Sequence, residues 1–233
     1  MQQKARTDAA SGATGSLGGF VRAYLRRRYT MLFYALLLTL LSAPVLSALK
    51  LSGILLESLL AASLLAAILP VSEVRSRSFP LVAMALVWLA RPVTIWLDHP
   101  VLSAMTLGLW TLVGLVAAAA ALRFAMRATQ VEAEHLYAAL SAYLLAGIYF
   151  GLFYWVLEQV SPGTFTVSAN FSQSTAIYFS FVTLATLGYG DITPHGDIAR
   201  GLAIVEGVGG QLFLAVLVAR LVSLYSKPGN HSD

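Results

Sequence analysis

The segment TLATLGYGD, which begins at Thr183, has the residue types that coordinate a cation through backbone oxygens. Carbonyl groups alternate along an ordinary strand, and they face one side only when every second residue takes a left-handed conformation. Gly188 and Gly190 stand at such alternate positions, and glycine adopts this conformation without a Cβ clash. A simple turn would explain these glycines, but not Thr183 and Thr186, which stand three residues apart. The predicted cation-binding residues, whose oxygens would replace the water shell of the ion, are Thr186, Leu187, Gly188, Tyr189 and Gly190.

The composition of the chain is that of a membrane protein. Of its 233 residues, 58% are hydrophobic and 11% are charged, whereas a soluble domain carries roughly 25% charged residues. The net charge of +4 comes mainly from arginine and lysine outside the apolar stretches, which indicates membrane topology and not nucleic-acid binding. Because the chain contains no cysteine, disulfides, thiolate metal sites and cysteine nucleophiles are excluded.

Six apolar stretches are each long enough to cross a bilayer as a helix, which takes ~20 residues. They lie near residues 31–49, 51–72, 79–97, 101–122, 136–158 and 199–225. The first stretch is longer than the ~7 to 15 residues of a signal-peptide core, so we expect it to be a membrane helix. The sequence therefore predicts an all-α membrane protein with six transmembrane helices.

Lysine and arginine in the short connections predict the orientation of these helices. The predicted inner segments contain Arg26, Arg27, Arg28, Arg75, Arg77, Arg123, Arg127, Arg220 and Lys227, and the outer connections contain Lys50 and Arg200. Both termini are therefore expected in the cytoplasm.

The connection between the fifth and sixth stretches, residues 159–198, is then expected on the outer side. It contains TLATLGYGD, and irregular backbone persists at membrane depth only where it is buried in protein or lines a water-filled cavity. The preceding run SQSTAIYFSFVTLA is long enough for a short helix, with Ser172 or Ser174 as its N-cap. Such a helix would direct its negative C-terminal end toward a cation. We therefore predict a re-entrant element between the last two transmembrane helices.

The same segment resembles the potassium-channel pore signature, threonine-x-x-threonine-x-glycine-tyrosine-glycine. The matching residues are Thr183, Thr186, Gly188, Tyr189 and Gly190, followed by Asp191. The resemblance extends over about residues 136–225 and implies an outer helix, a re-entrant pore helix, a selectivity filter and an inner helix. It implies a bacterial six-helix potassium channel with a single pore loop, which conducts K⁺ passively and is not an enzyme.

The resemblance also implies an assembly of four chains, because each pore loop in this family supplies a quarter of the filter. This chain contains one Gly-Tyr-Gly, so a homotetramer in the inner (plasma) membrane is expected. The implied partners are K⁺ ions and the lipid bilayer, with no nucleic acid and no cofactor apart from the permeant ion.

Two departures from the family pattern concern residues around the filter. Leu187 stands where a close variant of the signature has valine. The resemblance implies that this side chain faces away from the ions, so its carbonyl group stays in place. Phe179 stands where relatives often carry an aromatic donor that braces the filter, and phenylalanine cannot donate. Tyr178 can donate, and we predict that its hydroxyl bonds Asp191 behind the filter. The expected filter-supporting residues are Thr183, Asp191 and Tyr178.

The sixth stretch contains VEGVGGQLFLAVLVARL, with three glycines and one acid. The resemblance assigns the gating hinge to Gly210, which lies nineteen residues beyond Asp191. Close helix packing is an alternative reason for Gly207, Gly209 and Gly210. Glu206 is expected either to be bonded behind the filter or to face the water-filled cavity, because an unpaired acid at mid-bilayer costs ~2.5 to 3.5 kcal/mol.

The first four stretches are predicted to form a domain that is similar to a voltage sensor but lacks its arginine ladder. Voltage sensing needs positive charges at every third position of a helix, and the fourth stretch contains none. Glu57 and Arg91 are each expected ~9 Å below the outer surface, at 1.5 Å per residue. We predict that these two charges pair, and separate snorkelling or contacts with polar neighbours are the alternative.

The predicted domain organisation has five parts. They are a disordered basic cytoplasmic N-terminus (1–28), the four-helix membrane domain (29–127), an inner connector (128–135), a pore domain (136–226) and a short cytoplasmic tail (227–233). The connector is either an amphipathic helix along the inner face or a solvated linker.

Three other functions fit the sequence less well. A non-selective cation channel would be favoured by an acid or a missing glycine in the filter, and neither is present. The membrane subunit of a potassium-uptake transporter carries four degenerate pore repeats in one longer chain. An intramembrane enzyme needs a buried catalytic pair, and all four histidines fall at or outside the ends of the apolar stretches.

Overall fold

The computed structural model describes residues 27–48, 58–59, 62, 100–127, 132–167 and 171–225. Its elements are α1 (Arg28–Ala48), α2 (Pro100–Met126), α3 (Ala133–Val160), β1 (Phe165–Val167), α4 (Gln173–Leu184), β2 (Ile192–Pro194) and α5 (Asp197–Tyr225). Within the described residues, three helices are long and apolar enough to cross a membrane, over Leu102–Met126, Ala133–Val160 and Asp197–Ser223, and Arg28–Ser42 is a shorter apolar helix. The described part of the chain is therefore mostly helical and suited to a membrane.

Helices α1, α2 and α3 pack around one apolar core. The buried side chains include Tyr29, Leu32, Leu36, Trp110, Ala117, Ala121, Ala138, Ala142, Leu145, Ile148, Tyr149 and Leu152. An added Cβ at Gly114 of α2 would lie 2.2 Å from the ring of Tyr149, so glycine makes room for that ring. Small residues at such contacts let helices approach closely, and van der Waals packing then drives their association in lipid.

Glu134 joins the beginnings of α1 and α3. The backbone nitrogen of Tyr29 donates to Glu134 Oε2 at 3.0 Å, and the Thr30 hydroxyl donates to Glu134 Oε1. A carboxylate at a helix N-terminus satisfies free N–H groups and opposes the positive end of the helix dipole. The Arg28 guanidinium lies 5.0 Å from the ring of Phe124, near the end of α2. The starts of α1 and α3 and the end of α2 therefore share one face of the bundle.

Helices α3 and α5 flank α4, and a two-stranded sheet connects the segments on either side of α4. Strands β1 and β2 are antiparallel, with Phe165 opposite Pro194, Thr166 opposite Thr193 and Val167 opposite Ile192. The Glu158 carboxylate fixes the turn before β1, because it accepts hydrogen bonds from the backbone nitrogens of Gly163 at 2.8 Å and Phe165 at 3.0 Å. The chain thus leaves α3, enters the sheet, passes through α4 and an irregular segment, and returns through the sheet to α5.

The helix bounds lie within a few residues of the first, fourth, fifth and sixth predicted apolar stretches. The second and third stretches, 51–72 and 79–97, lie outside the described residues apart from 58–59 and 62. The all-α prediction is wrong about the β1–β2 pair, because strands of three residues are too short to show a periodic pattern. Within the predicted connector, Glu132 has extended backbone angles and α3 begins at Ala133.

Candidate functional site

Helix α4 begins at a serine cap and ends beside the irregular segment. Ser172 Oγ accepts a hydrogen bond from the backbone nitrogen of Thr175 at 3.2 Å, which satisfies a free N–H group of the first turn. Ser172, and not Ser174, is therefore the N-cap. At the other end, the backbone nitrogen of Ala185 donates to Phe181 O at 2.9 Å. The next residues, 186–190, are called the filter segment below.

Two glycines of α3 allow α4 to lie close to it. An added Cβ at Gly151 would lie 2.5 Å from the Cα atom of Ile177, and one at Gly147 would lie 2.6 Å from the ring of Phe181. Gly147 and Gly151 are four residues apart, so they share one face of α3. That face receives α4, and a side chain at either position would push the two helices apart.

The backbone of the filter segment alternates in the predicted way. Thr186, Gly188 and Gly190 have φ angles of 57°, 56° and 79°, which lie in the left-handed region. The positive φ of Thr186 is unusual for a β-branched residue, and the sequence predicts this conformation only for the two glycines. The backbone nitrogen of Leu187 points back to α4, where it donates to Val182 O at 2.9 Å. Left-handed residues at alternate positions turn successive carbonyl groups of the segment to one side.

Tyr178 connects α4 to the residue that follows the filter segment. Its Oη donates to Asp191 Oδ2 at 2.9 Å, so the predicted hydrogen bond is present. Phe179 instead belongs to an aromatic cluster, with its ring centroid 5.1 Å from that of Tyr154 and 5.3 Å from that of Phe165. Edge-to-face packing of these rings holds α4 against α3 and β1. Phenylalanine at this position therefore stabilises α4 by packing, and the neighbouring tyrosine is the donor.

Glu206 lies in the first half of α5 and is 2% exposed. Tyr154 Oη donates to Glu206 Oε2 at 2.7 Å, and Ser180 Oγ is hydrogen-bonded to Glu206 Oε1. Ser180 Oγ also donates to Gly147 O at 2.6 Å. Of the two environments predicted for Glu206, the structure has the bonded one. This side chain connects α5 to both α3 and α4.

Gly210 packs against the last residue of α4. An added Cβ at Gly210 would lie 2.7 Å from Leu184 Cδ1 and 3.0 Å from Leu184 O. An added Cβ at Gly207 would meet only ordinary contacts, with Thr183 O at 3.7 Å. Nothing lies within 4 Å of an added Cβ at Gly209 in the single chain. Of Gly207, Gly209 and Gly210, close packing therefore explains only Gly210, the residue to which the family resemblance assigns the hinge.

We expect Gly210→Ala to destabilise the folded channel more than Gly207→Ala. The added methyl group at Gly210 must displace Leu184 at the end of α4, which carries the filter segment. Both variants gain helix propensity of up to ~1 kcal/mol, so Gly207→Ala is the matched control. The measurement is the melting temperature of the purified protein, with the open probability of single channels recorded alongside. A glycine that acts only as a hinge would leave Gly210→Ala at least as stable as Gly207→Ala, and that result would contradict the packing interpretation.

The residues of α3 and α4 that hold these helices together were not predicted from the sequence. A signal existed for Gly147 and Gly151, since glycines four residues apart are a known device for close packing of membrane helices. No comparable signal marks Ser180, because a serine in an apolar helix commonly bonds the backbone of its own helix. The predicted pair Glu57 and Arg91 lies outside the described residues, so its pairing stays a prediction.

Residues 140–227 match a family model described as an ion channel. The chain is 34% identical over 90 residues to the inward rectifier potassium channel Kirbac3.1 of Paramagnetospirillum magnetotacticum, a match that covers 37% of this chain and 28% of that protein. It is 40% identical over 91 residues to the two pore potassium channel c of Oryza sativa subsp. japonica, covering 38% of this chain and 18% of that protein. It is also 31% identical over 100 residues to protein LctB of Bacillus caldotenax, covering 40% of this chain and 74% of LctB. The chain belongs to the potassium-channel pore-domain family.

The potassium-channel pore domain of this chain includes most of α3, together with α4, the filter segment and α5. The chain spans less than a third of the length of Kirbac3.1 and of the rice channel. No solved structure matches it. Ion channels are not enzymes, so membership of this family confirms the prediction that the protein is not an enzyme.

The electrostatics of the potassium-channel pore domain suit a cation. Helix α4 ends directly before the filter segment, and its last carbonyl groups carry the negative end of the helix dipole. The filter segment follows with left-handed backbone at Thr186, Gly188 and Gly190, and Tyr178 holds the Asp191 carboxylate just after it. This arrangement offers oxygen ligands and partial negative charge along one short path.

Proposed function

We propose that the chain is one subunit of a potassium-selective channel that conducts K⁺ passively through the filter segment. The observation that carries this proposal is the left-handed backbone at Thr186, Gly188 and Gly190, within the region that matches the family. The carbonyl groups of residues 186–189 and the Thr186 hydroxyl would take the place of the ion's water shell. The proposal needs no cofactor, since the permeant K⁺ is itself the ligand.

The proposal includes four copies of the chain around one axis, because one filter segment supplies a quarter of a closed ring. The exposure of the single chain supports it. Tyr189 is 66% exposed and Leu212 of α5 is 61% exposed. In the single chain, 11% of the apolar stretch of α5 is buried, whereas 56% of the apolar stretch of α3 is buried. Neighbouring copies would cover the exposed filter segment and much of α5.

The proposed channel lies in the inner (plasma) membrane with both termini in the cytoplasm. Support comes from the face at which Glu134 joins the starts of α1 and α3, since Arg28 and Arg123 lie there as well. Lysine and arginine favour the cytoplasmic side. The filter segment then opens to the outer side. Residues 136–226 form the pore domain of this proposal, and residues 29–127 form a preceding membrane domain without an arginine ladder.

The reversal potential of the purified protein in a planar bilayer, under opposing K⁺ and Na⁺ gradients, tests the proposal. We expect a value near the K⁺ equilibrium potential. A value near zero with open channels would contradict K⁺ selectivity and favour a non-selective cation channel. Cross-linking of the same preparation in lipid tests the assembly, and species larger or smaller than four chains would contradict the tetramer.

A further inference from the structure

One buried hydrogen-bond network connects the three helices of the pore domain. Its members are Gly147 and Tyr154 of α3, Ser180 of α4 and Glu206 of α5. Tyr154 and Ser180 are 0% exposed, and Glu206 is 2% exposed. Among the described residues, the groups bonded to the Glu206 carboxyl are these two hydroxyls. Among these members, each hydroxyl hydrogen can serve only one of the contacts.

The contacts of Ser180 require one more hydrogen than its hydroxyl has. Ser180 Oγ lies 2.6 Å from Gly147 O and is also in hydrogen-bond contact with Glu206 Oε1. A serine hydroxyl has a single hydrogen, and a carbonyl or carboxylate oxygen has none. If Glu206 were ionised, one of these two contacts would bring lone pairs together in a buried site. A proton on Glu206 Oε1 removes the conflict.

We propose that Glu206 is a protonated carboxylic acid in the folded protein, and that in this form it is the positioning residue that ties α4 to α3 and α5. Each hydrogen is then used once. Tyr154 donates to Glu206 Oε2, Glu206 donates to Ser180 Oγ, and Ser180 donates to Gly147 O. Burying a neutral acid with both oxygens bonded costs far less than burying a carboxylate without a cation.

The network acts at the end of α4 that carries the filter segment. Ser180 lies one turn before Leu184, the last residue of α4. Gly207, the residue after Glu206, lies close to α4. A Cβ added to Gly207 would be 3.7 Å from the carbonyl oxygen of Thr183. Loss of the Glu206 proton would break the link to Ser180 and place a charge among buried hydroxyls. The consequence for K⁺ flux rests on the proposed function, whereas the protonation of Glu206 does not.

The titratable groups that face Glu206 from the described elements are the tyrosines Tyr154 and Tyr143, both on α3. Tyr143 and Glu206 line the same cavity of about 280 Å³ between α2, α3 and α5. The described parts of α2 and α4 contribute only apolar side chains to that cavity. Any pH dependence of K⁺ flux that arises at this site is therefore expected from Glu206. The control is Glu206→Gln, whose side chain does not titrate.

The test combines infrared spectra and K⁺ flux of the full chain in lipid vesicles over a series of pH values. Glu206→Gln keeps the geometry, because its amide N–H donates to Ser180 and its carbonyl accepts from Tyr154, and it has no proton to lose. Glu206→Met removes both hydrogen bonds. Ser180→Ala removes the acceptor of the Glu206 proton and leaves the acid in place.

We expect a carboxylic-acid carbonyl band in the wild type that is missing in Glu206→Gln and shifted in Ser180→Ala. Raising the pH until this band disappears should abolish K⁺ flux in the wild type, while Glu206→Gln keeps its flux over the same range. Glu206→Met should lose flux and heat stability at every pH.

Absence of the band in the wild type at neutral pH would overturn the proposal. So would an alkaline loss of flux in Glu206→Gln equal to that of the wild type. A band that is present in the wild type and missing in Glu206→Gln, with no K⁺ flux in any variant, would uphold the protonated acid and reject the proposed function.

Discussion

Gly188→Ala should abolish K⁺ selectivity and move the reversal potential from near the K⁺ equilibrium potential to near zero. Gly188 has a φ of 56°, and an added Cβ there would meet no atom within 4 Å in the single chain. The expected effect is therefore conformational, since a residue with a Cβ disfavours the left-handed region by roughly 1–2 kcal/mol. In a tetramer this cost would recur in every subunit. The peptide groups at Gly188 would relax toward ordinary angles and turn their carbonyl oxygens away from the ion path.

Gly163→Ala is the matched control for that experiment. Gly163 also has a positive φ, 86°, with no atom within 4 Å of an added Cβ, but it lies in the turn between α3 and β1. This variant should lose a similar amount of stability and keep the reversal potential of the wild type. Retained selectivity in Gly188→Ala, or an equal loss in both variants, would show that the alternating backbone is not what selects K⁺.

Gly151→Ala should prevent α4 from packing against α3 and so destabilise the folded protein. The added Cβ would lie 2.5 Å from Ile177 Cα and 3.0 Å from Ile177 N. Both are backbone atoms, so α4 as a whole has to move, and overpacking of this kind typically costs ~1–3 kcal/mol per chain. Because α4 carries the filter segment, K⁺ flux should fall together with stability. Size-exclusion chromatography after graded heating measures the first effect, and flux into vesicles measures the second.

Gly108→Ala provides the comparison for Gly151→Ala. Gly108 is also a helical glycine, but an added Cβ would lie 4.0 Å from Val156 Cγ1, which is an ordinary contact. Alanine there should be neutral or stabilising, because glycine in a helix costs up to ~1 kcal/mol relative to alanine. If Gly151→Ala unfolded at the same temperature as Gly108→Ala and conducted K⁺ equally well, close approach of α3 and α4 would not be needed.

The parts of the fold that the sequence predicts are those set by properties of single segments. Apolar length predicts the described membrane helices, and the conformational freedom of glycine predicts the left-handed backbone at Gly188 and Gly190. The left-handed Thr186 was not predictable in this way, because local preference argues against it for a β-branched residue. Surrounding contacts, such as the hydrogen bond from Leu187 to Val182, must hold this region in place.

The parts that the sequence leaves open depend on how helices are rotated and paired. Glu206 is an acid in an apolar helix, and its burial between Tyr154 and Ser180 becomes known only when three helices are placed together. The Tyr178–Asp191 hydrogen bond was predictable only because relatives in the family carry an aromatic donor that braces the filter near this position. The β1–β2 pair joins segments about 30 residues apart, and neither segment is long enough to show a pattern of its own.

That short sheet also bears on how subunits come together. Pairing of β1 with β2 closes the chain between them into a loop that contains α4 and the filter segment. The entropy of closing a loop rises only slowly with its length, so a few backbone hydrogen bonds suffice to hold this insertion. This part of the fold is therefore formed by contacts within one chain. If the proposed tetramer forms, its subunits would then order few additional residues on association, which lowers the entropic cost of assembly.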